Sequence, residues 1–349
     1  MRRLAFGLAA LAAVTLADAA VGQPPPGLPS PRLSTVFPLG AKAGSEVEVA
    51  VTGFDLEEPE KLVFSHQGLK AEFIKPPAEV PDPKDPKKTV PAPKPNPGGP
   101  HKFKVTADAS VPPGTYDVRV AGKWGVSNAR AFVVGALPEV NEKEPNNDVG
   151  EAQKIEIGTT VNGVIANATD VDYTVFAAKK GQRVVVACAA SSVDSKATPM
   201  IEIFDANGRK LVSNRNYRGE DAVADLIAPA DGDYYVRLFQ FTYTAGGPDY
   251  VYRLTVSAGP WVDAIFPPVV EPGKPAQVTL YGRNLPNSAP ADGFTADGRP
   301  LEKLTVTVAP PDAKAAATQL AGRTRFEAGH ALQDGFTYTL NGPNGVSNP

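Results

Sequence analysis

Cysteine is almost missing from this chain of 349 residues, with Cys188 standing alone. No internal disulfide can form, and no cysteine follows the N-terminal leader to accept a lipid. Cys188 lies in Val184-Val185-Val186-Ala187-Cys188-Ala189, an apolar run without a basic neighbour, so it reads as a small buried thiol in a core strand. Histidine is nearly as scarce: His66, His101 and His330 fall in polar or loop-like stretches, away from any nucleophile in sequence. The chain contains no G-x-S-x-G elbow, H-E-x-x-H helix, phosphate-cradling glycine loop or dinucleotide fingerprint, and the expectation is a protein without catalytic residues. A formal charge of −3 leaves no basic excess for a nucleic-acid partner. After the leader, no run is long and apolar enough to be read as a membrane-spanning helix.

Proline and glycine are abundant instead, with 36 and 32 residues. That content disfavours long helices and favours short strands joined by turns, so the fold class expected is all-β. A hydrophobic content of 42% over this length suffices for two or three packed cores. Residues 1–22 read as a secretory signal peptide, with Arg2 and Arg3 ahead of an apolar run from Leu4 to Ala17 and small residues before Ala19 and Gly22. The mature protein is therefore expected in the periplasm, at the cell surface or outside the cell. Residues 23–32 form a Pro-rich leader, read as an extended spacer.

Block 33–137 carries strand patterns such as Glu46-Val47-Glu48-Val49-Ala50-Val51 and Tyr116-Asp117-Val118-Arg119-Val120, both alternating with period two. Within it, residues 75–100 hold ten prolines and five lysines and are expected to form an exposed, polyproline-like loop. An internal repeat organises the rest. Phe37-Pro38, Gly44, Val49, Gly53 and Leu56 return 229 positions later as Phe266-Pro267, Gly273, Val278, Gly282 and Leu285. Gly122, Gly125, Val126, Ser127 and Asn128 return 220 positions later as Gly342, Gly345, Val346, Ser347 and Asn348. Two copies of one β unit, 33–137 and 259–349, thus flank a different middle segment.

The two copies resemble the immunoglobulin-like IPT/TIG sandwiches, which open with a similar Phe-Pro and Gly before a strand ending in Gly and a hydrophobic residue. The resemblance implies Ig-like modules that space or present other domains. In the first copy, the strand Ala131-Phe132-Val133-Val134 follows Asn128, and the second copy is expected to lack this strand and to be incomplete.

Residues 138–258 show about eight short strand patterns separated by turns such as Ala206-Asn207-Gly208 and Asp231-Gly232, suggesting an antiparallel sandwich or jelly roll. Glu142 and Glu144 are two apart before Pro145, so an extended backbone projects both to one side, and Asp170 and Asp172 repeat that arrangement. If the first pair packs beside the second, four carboxylates and the Asn146 amide converge, and their repulsion calls for a hard cation with oxygen ligands. Calcium suits this set better than zinc, because no His or Cys is included. The alternative is a solvated acidic linker followed by a strand that happens to begin with Asp.

The runs Glu142-Lys143-Glu144-Pro145-Asn146-Asn147-Asp148, Asp170-Val171-Asp172-Tyr173 and Asp231-Gly232-Asp233-Tyr234-Tyr235-Val236-Arg237-Leu238 resemble the bacterial pre-peptidase C-terminal (PPC) domain, itself similar to the collagen-binding domains of clostridial collagenases. That resemblance implies a jelly-roll-like sandwich with calcium held by Glu142, Glu144, Asn146 and one or both of Asp170 and Asp172. Collagen binding carries over poorly, because Phe replaces expected Tyr positions in Leu238-Phe239-Gln240-Phe241-Thr242-Tyr243. Phe239, Phe241 and Tyr243 alternate and would share one face, and Phe239 and Phe241 are expected in the core. Two functional readings follow: an extracellular binding or scaffold protein whose partner is another protein or a polysaccharide, and the non-catalytic front part of a larger secreted hydrolase.

Overall fold

The structure, a computed structural model, describes residues 27–315 and 335–349. The signal-peptide reading and His330 therefore lie outside the described residues. Strands account for nearly all regular structure.

The N-terminal part contains β1 (Arg32–Phe37), β2 (Gly40–Lys42), β3 (Glu46–Phe54), β4 (Pro59–Phe64), β5 (Leu69–Phe73), β6 (Glu79–Asp82), β7 (Asp85–Pro91), β8 (His101–Ala107), β9 (Gly114–Gly122), β10 (Gly125–Val126) and β11 (Arg130–Gly135). Four of these form a sheet in the order β1-β3-β8-β5, and a second sheet runs β10-β9-β11-β2 with β4 also paired to β9. The period-two pattern of β8, buried at every other residue, turns Phe103 and Val105 inward against Val49, Val51, Val118 and Phe132.

The middle part contains β12 (Glu139–Asn141), β13 (Gln153–Lys154), β14 (Thr159–Val164), β15 (Val171–Ala178), β16 (Arg183–Ala189), β17 (Pro199–Asp205), β18 (Lys210–Asn214), β19 (Ala222–Ile227), β20 (Gly232–Gln240) and β21 (Val251–Ser257). Two five-stranded sheets, β12-β14-β21-β16-β19 and β13-β15-β20-β17-β18, face each other. Val184, Val186, Phe176, Ile201, Ile203, Val236, Leu238 and Leu254 fill the space between them. Cys188 is fully buried in that core, as its apolar run predicts, and desolvation, then the Asp221 and Asp172 charges, push its thiol well above the usual range.

The C-terminal part contains β22 (Trp261–Phe266), β23 (Ala276–Arg283), β24 (Ala289–Ala296) and β25 (Arg299–Val308), paired β22-β23-β25-β24, and a small ribbon of β26 (Asn341–Gly342) and β27 (Gly345–Val346). Its first strands repeat the N-terminal ones pair for pair. Leu33 faces Gly53 and Phe37 faces Ala50, with a register shift after Leu33; Val262 faces Gly282 and Phe266 faces Thr279, with the same shift after Val262. The recurring glycines have a steric cause, since a Cβ would come 1.9 Å from Arg32 O at Gly53 and 2.0 Å from Trp261 O at Gly282. The recurring asparagines clamp the first strand. Asn128 accepts from Leu33 N at 2.9 Å and donates to Leu33 O at 3.0 Å, and Asn348 does the same with Val262 at 2.7 and 2.9 Å.

Three expectations need correction. Residues 75–100 are not all loop: β6 and β7 form a hairpin in which Val80 faces Val90 and Thr89 donates to Glu79. Both strands of a two-stranded ribbon are edges, so proline's missing N–H leaves no ladder bond unmade on the outer side. His101 is buried at the start of β8, beside Phe73, rather than in a polar stretch. Phe241 is 39% exposed, because β20 stops at Gln240 and the alternation stops with it. Phe239 is buried, but beneath Tyr243 and Arg237 on the outer face, with ring centroids 4.8 Å apart in the Phe239–Tyr243 stack.

Candidate metal centre

The segment that enters the middle sandwich is held to it by backbone bonds. Glu142 N donates to Asn162 O on β14 at 2.9 Å, and Tyr173 N on β15 donates to Asn146 O at 2.9 Å. The acidic opening is therefore laid across the start of β15, the arrangement on which convergence of the two acidic pairs depends.

One carboxylate oxygen from each of Glu144, Asp170 and Asp172 lies within 4.8 Å of the others. Asp170 and Asp172 are buried while Glu144 is exposed, so the cluster opens to solvent on the Glu144 side. Asp170 accepts from Ala166 N at 2.5 Å, and Glu144 accepts from Asn146 N at 3.0 Å and Asn147 Nδ2 at 3.3 Å. Glu142 accepts from Val164 N at 2.8 Å and from the Tyr252 hydroxyl at 2.9 Å.

Three buried oxygens are left over. Both Asp172 carboxylate oxygens and Asn146 Oδ1 make no hydrogen bond. Tyr252 and Asn146 stand near enough to Asp172 to favour its ionised form slightly, but the one Tyr252 proton is directed to Glu142. Burial, reinforced by the Glu142 and Asp170 charges, pushes the Asp172 carboxyl up to about 8. Burial, then the neighbouring Glu144 and Asp170 charges, push Glu142 up to about 7 against the hydrogen bonds it accepts. Unpartnered, acceptor-only oxygens among like charges are costly unless a proton or a cation joins them. The donor set is carboxylate and amide oxygen throughout, which fits a hard cation such as calcium.

Sequence reasoning missed Tyr252, which sits on β21 at 110 positions from Glu142 and touches it only through the fold. It also missed Gly163, where a Cβ would lie 2.2 Å from Tyr252 Cζ and 2.4 Å from Glu142 Oε2. A glycine inside a strand is the signal that would have led there.

No protein-family model matches the chain. A probable subtilase-type serine protease of Deinococcus radiodurans is 27% identical over 162 residues, covering 37% of this chain and 22% of that protein. The chain thus spans about a fifth of the curated relative it matches. Among solved structures, the pre-peptidase C-terminal domain of a Bacillus anthracis collagenase aligns with 33% of this chain and 100% of its own, at 16% identity and a TM-score of 0.27. The secreted serine protease VesC of Vibrio cholerae aligns with 63% of this chain and 48% of its own, at 9% identity and a TM-score of 0.23.

Proposed function

We propose that this chain is a non-catalytic, exported β-sandwich protein whose middle part is a PPC-like module stabilised by calcium, flanked by two immunoglobulin-like spacers. In this reading Glu142, Glu144, Asn146, Asp170 and Asp172 hold the ion, which neutralises the cluster and fixes the entering segment to β15. The observation that carries it is the pair of buried Asp172 oxygens without a hydrogen bond, beside Asp170 and Glu144. The partner class is an extracellular protein or polysaccharide. Similarity to a subtilase-type protease favours, as the second reading, a non-catalytic part of a larger secreted hydrolase.

The test is thermal melting of the mature chain in EDTA and in millimolar calcium, with limited proteolysis around 140–148. Calcium is expected to raise the midpoint of one transition by a few degrees and to protect that segment. With extracellular-type affinities of about 10⁻⁴ to 10⁻³ M, binding to the folded form contributes about 1 kcal/mol. Identical melts and cleavage in the two buffers would leave the acidic-linker reading in its place.

A further inference from the structure

The two copies of the repeat meet the middle sandwich through different chemistry. Leu39 and Ala131 of the first copy share one buried apolar cluster with Val193 and Val251 of the sandwich. The apolar clusters of the sandwich and of the second copy have no residue in common. Charged and polar groups join those two instead. Arg183 on β16 is bidentate to Asp225 on β19, at 3.0 and 2.5 Å, and its Nη1 donates to Glu302 on β25 of the second copy at 3.0 Å. Asp225 lies 3.6 Å from Arg283 on β23, which lies 3.2 Å from Asp263 on β22. Asp263 accepts in turn from the Tyr217 hydroxyl, back on the sandwich, and Asn284 Nδ2 donates to Arg183 O at 3.1 Å.

Comparing the copies shows that these charges serve the joint and not the frame. Gly282 and Leu285 keep the residue types of Gly53 and Leu56, but Arg283 stands where the first copy has Phe54, and Asp263 where it has Ser34, each 229 positions earlier. The strand pairing matches, since Phe54 faces Arg32 and Arg283 faces Trp261. Phe54 is 68% exposed, whereas Arg283 is fully buried. No guanidinium nitrogen of Arg283 makes a hydrogen bond among the described residues, so the charges of its carboxylate neighbours hold it. Desolvation cancels much of what buried ion pairs gain, while one member left unpaired is costly. Such a joint adds little stability, admits few orientations and parts without splitting an apolar cluster.

We propose that the alternating chain of Glu302, Arg183, Asp225, Arg283 and Asp263 is an ionic latch, which holds the second copy in one orientation on the middle sandwich and can release it as a folded unit. The pivot is the short link 258–260 between β21 and β22. The first copy, seated through its apolar cluster, stays fixed to the sandwich. The second copy is thus the arm of the molecule that can change direction, and Arg283 is the residue that positions it.

The experiment uses the mature full chain with spin labels at Ala206→Cys in the sandwich and Asp292→Cys in the second copy, both exposed, and reads their separation by pulsed electron double resonance. Cys188 is fully buried and takes no label. One narrow distance is expected without further substitution. Arg283→Phe gives the second copy the residue its frame already carries in the first, and is expected to replace that distance by a broad distribution with circular dichroism unchanged. Arg183→Gln, on the sandwich side, is expected to do the same. A label pair across the other joint, at Lys70→Cys and Ala206→Cys, is expected to stay narrow in both variants. A broad distance before either substitution, a narrow one after either, or loss of folded structure in both variants would overturn the proposal.

Discussion

Replacing Asp172 by asparagine should stabilise the metal-free protein, the opposite of what disturbing a buried core residue usually does. Asp172 is 2% exposed, its carboxylate oxygens have no partner of hydrogen-bond geometry among the described residues, and its carboxyl is raised from 3.8 to about 8. Near pH 7 it therefore takes up a proton on folding, and at ~1.4 kcal/mol per pH unit from its ordinary value this opposes folding by about 4 kcal/mol. An amide of the same shape carries no charge and removes that cost, while its own unsatisfied polar atoms cost about 1–3 kcal/mol. The net expectation for Asp172→Asn is a gain of about 1–3 kcal/mol in EDTA, several degrees in midpoint for a unit of this size. In millimolar calcium the gap narrows by about 1 kcal/mol, because wild type gains from the ion and the variant has lost a ligand. Melting both proteins in both buffers reads that narrowing directly. A variant less stable than wild type in EDTA would refute the reasoning, since Asp172 would then be making favourable interactions without a cation.

The same linkage sets a pH profile. Glu142 and Asp172 are raised to about 7 and about 8, so metal-free stability is highest below about pH 4 as far as these groups contribute, and is lost as pH rises to about 8; saturating calcium should flatten the slope. Phe239→Ala should lower stability by about 2–4 kcal/mol, and Phe241→Ala, at a half-open position under Arg215, by less than about 1 kcal/mol, as denaturant midpoints will show. Arg283 is fully buried, with its guanidinium 3.2 Å from Asp263 and 3.6 Å from Asp225 of the middle sandwich. Arg283→Ala leaves those carboxylates buried and should cost about 3–5 kcal/mol. Small-angle scattering should then show the last copy loosened from the middle part.

Much of the frame could be read from residue types whose reason is local. Gly53 and Gly282 are glycine because a neighbouring strand's carbonyl occupies the Cβ position, and Asn128 and Asn348 recur because a side-chain amide can clamp both polar groups of one backbone unit. The acidic positions were legible for a similar reason, since carboxylates spaced by two on extended backbone share a side. What escaped depends on distant contacts. Tyr252 is apolar-patterned like any core strand residue, and only the sandwich brings its hydroxyl to Glu142. Phe241 keeps the alternation of β20 in sequence but lies one residue past its end, where Tyr243 adopts a φ of 50° and turns the chain back over Phe239. The β6–β7 hairpin was hidden by prolines that a central strand would not tolerate and a two-stranded ribbon does.

The most direct test of the calcium reading is equilibrium dialysis of the mature chain against radioactive calcium, beside Asp170→Asn and Asp172→Asn. One ion per chain, with a dissociation constant of about 10⁻⁴ to 10⁻³ M in wild type and at least about tenfold weaker binding in both variants, is the predicted result. Binding that is absent in wild type, or unchanged in both variants, would contradict the assignment of the cluster at Glu144, Asp170 and Asp172 as the ion's site.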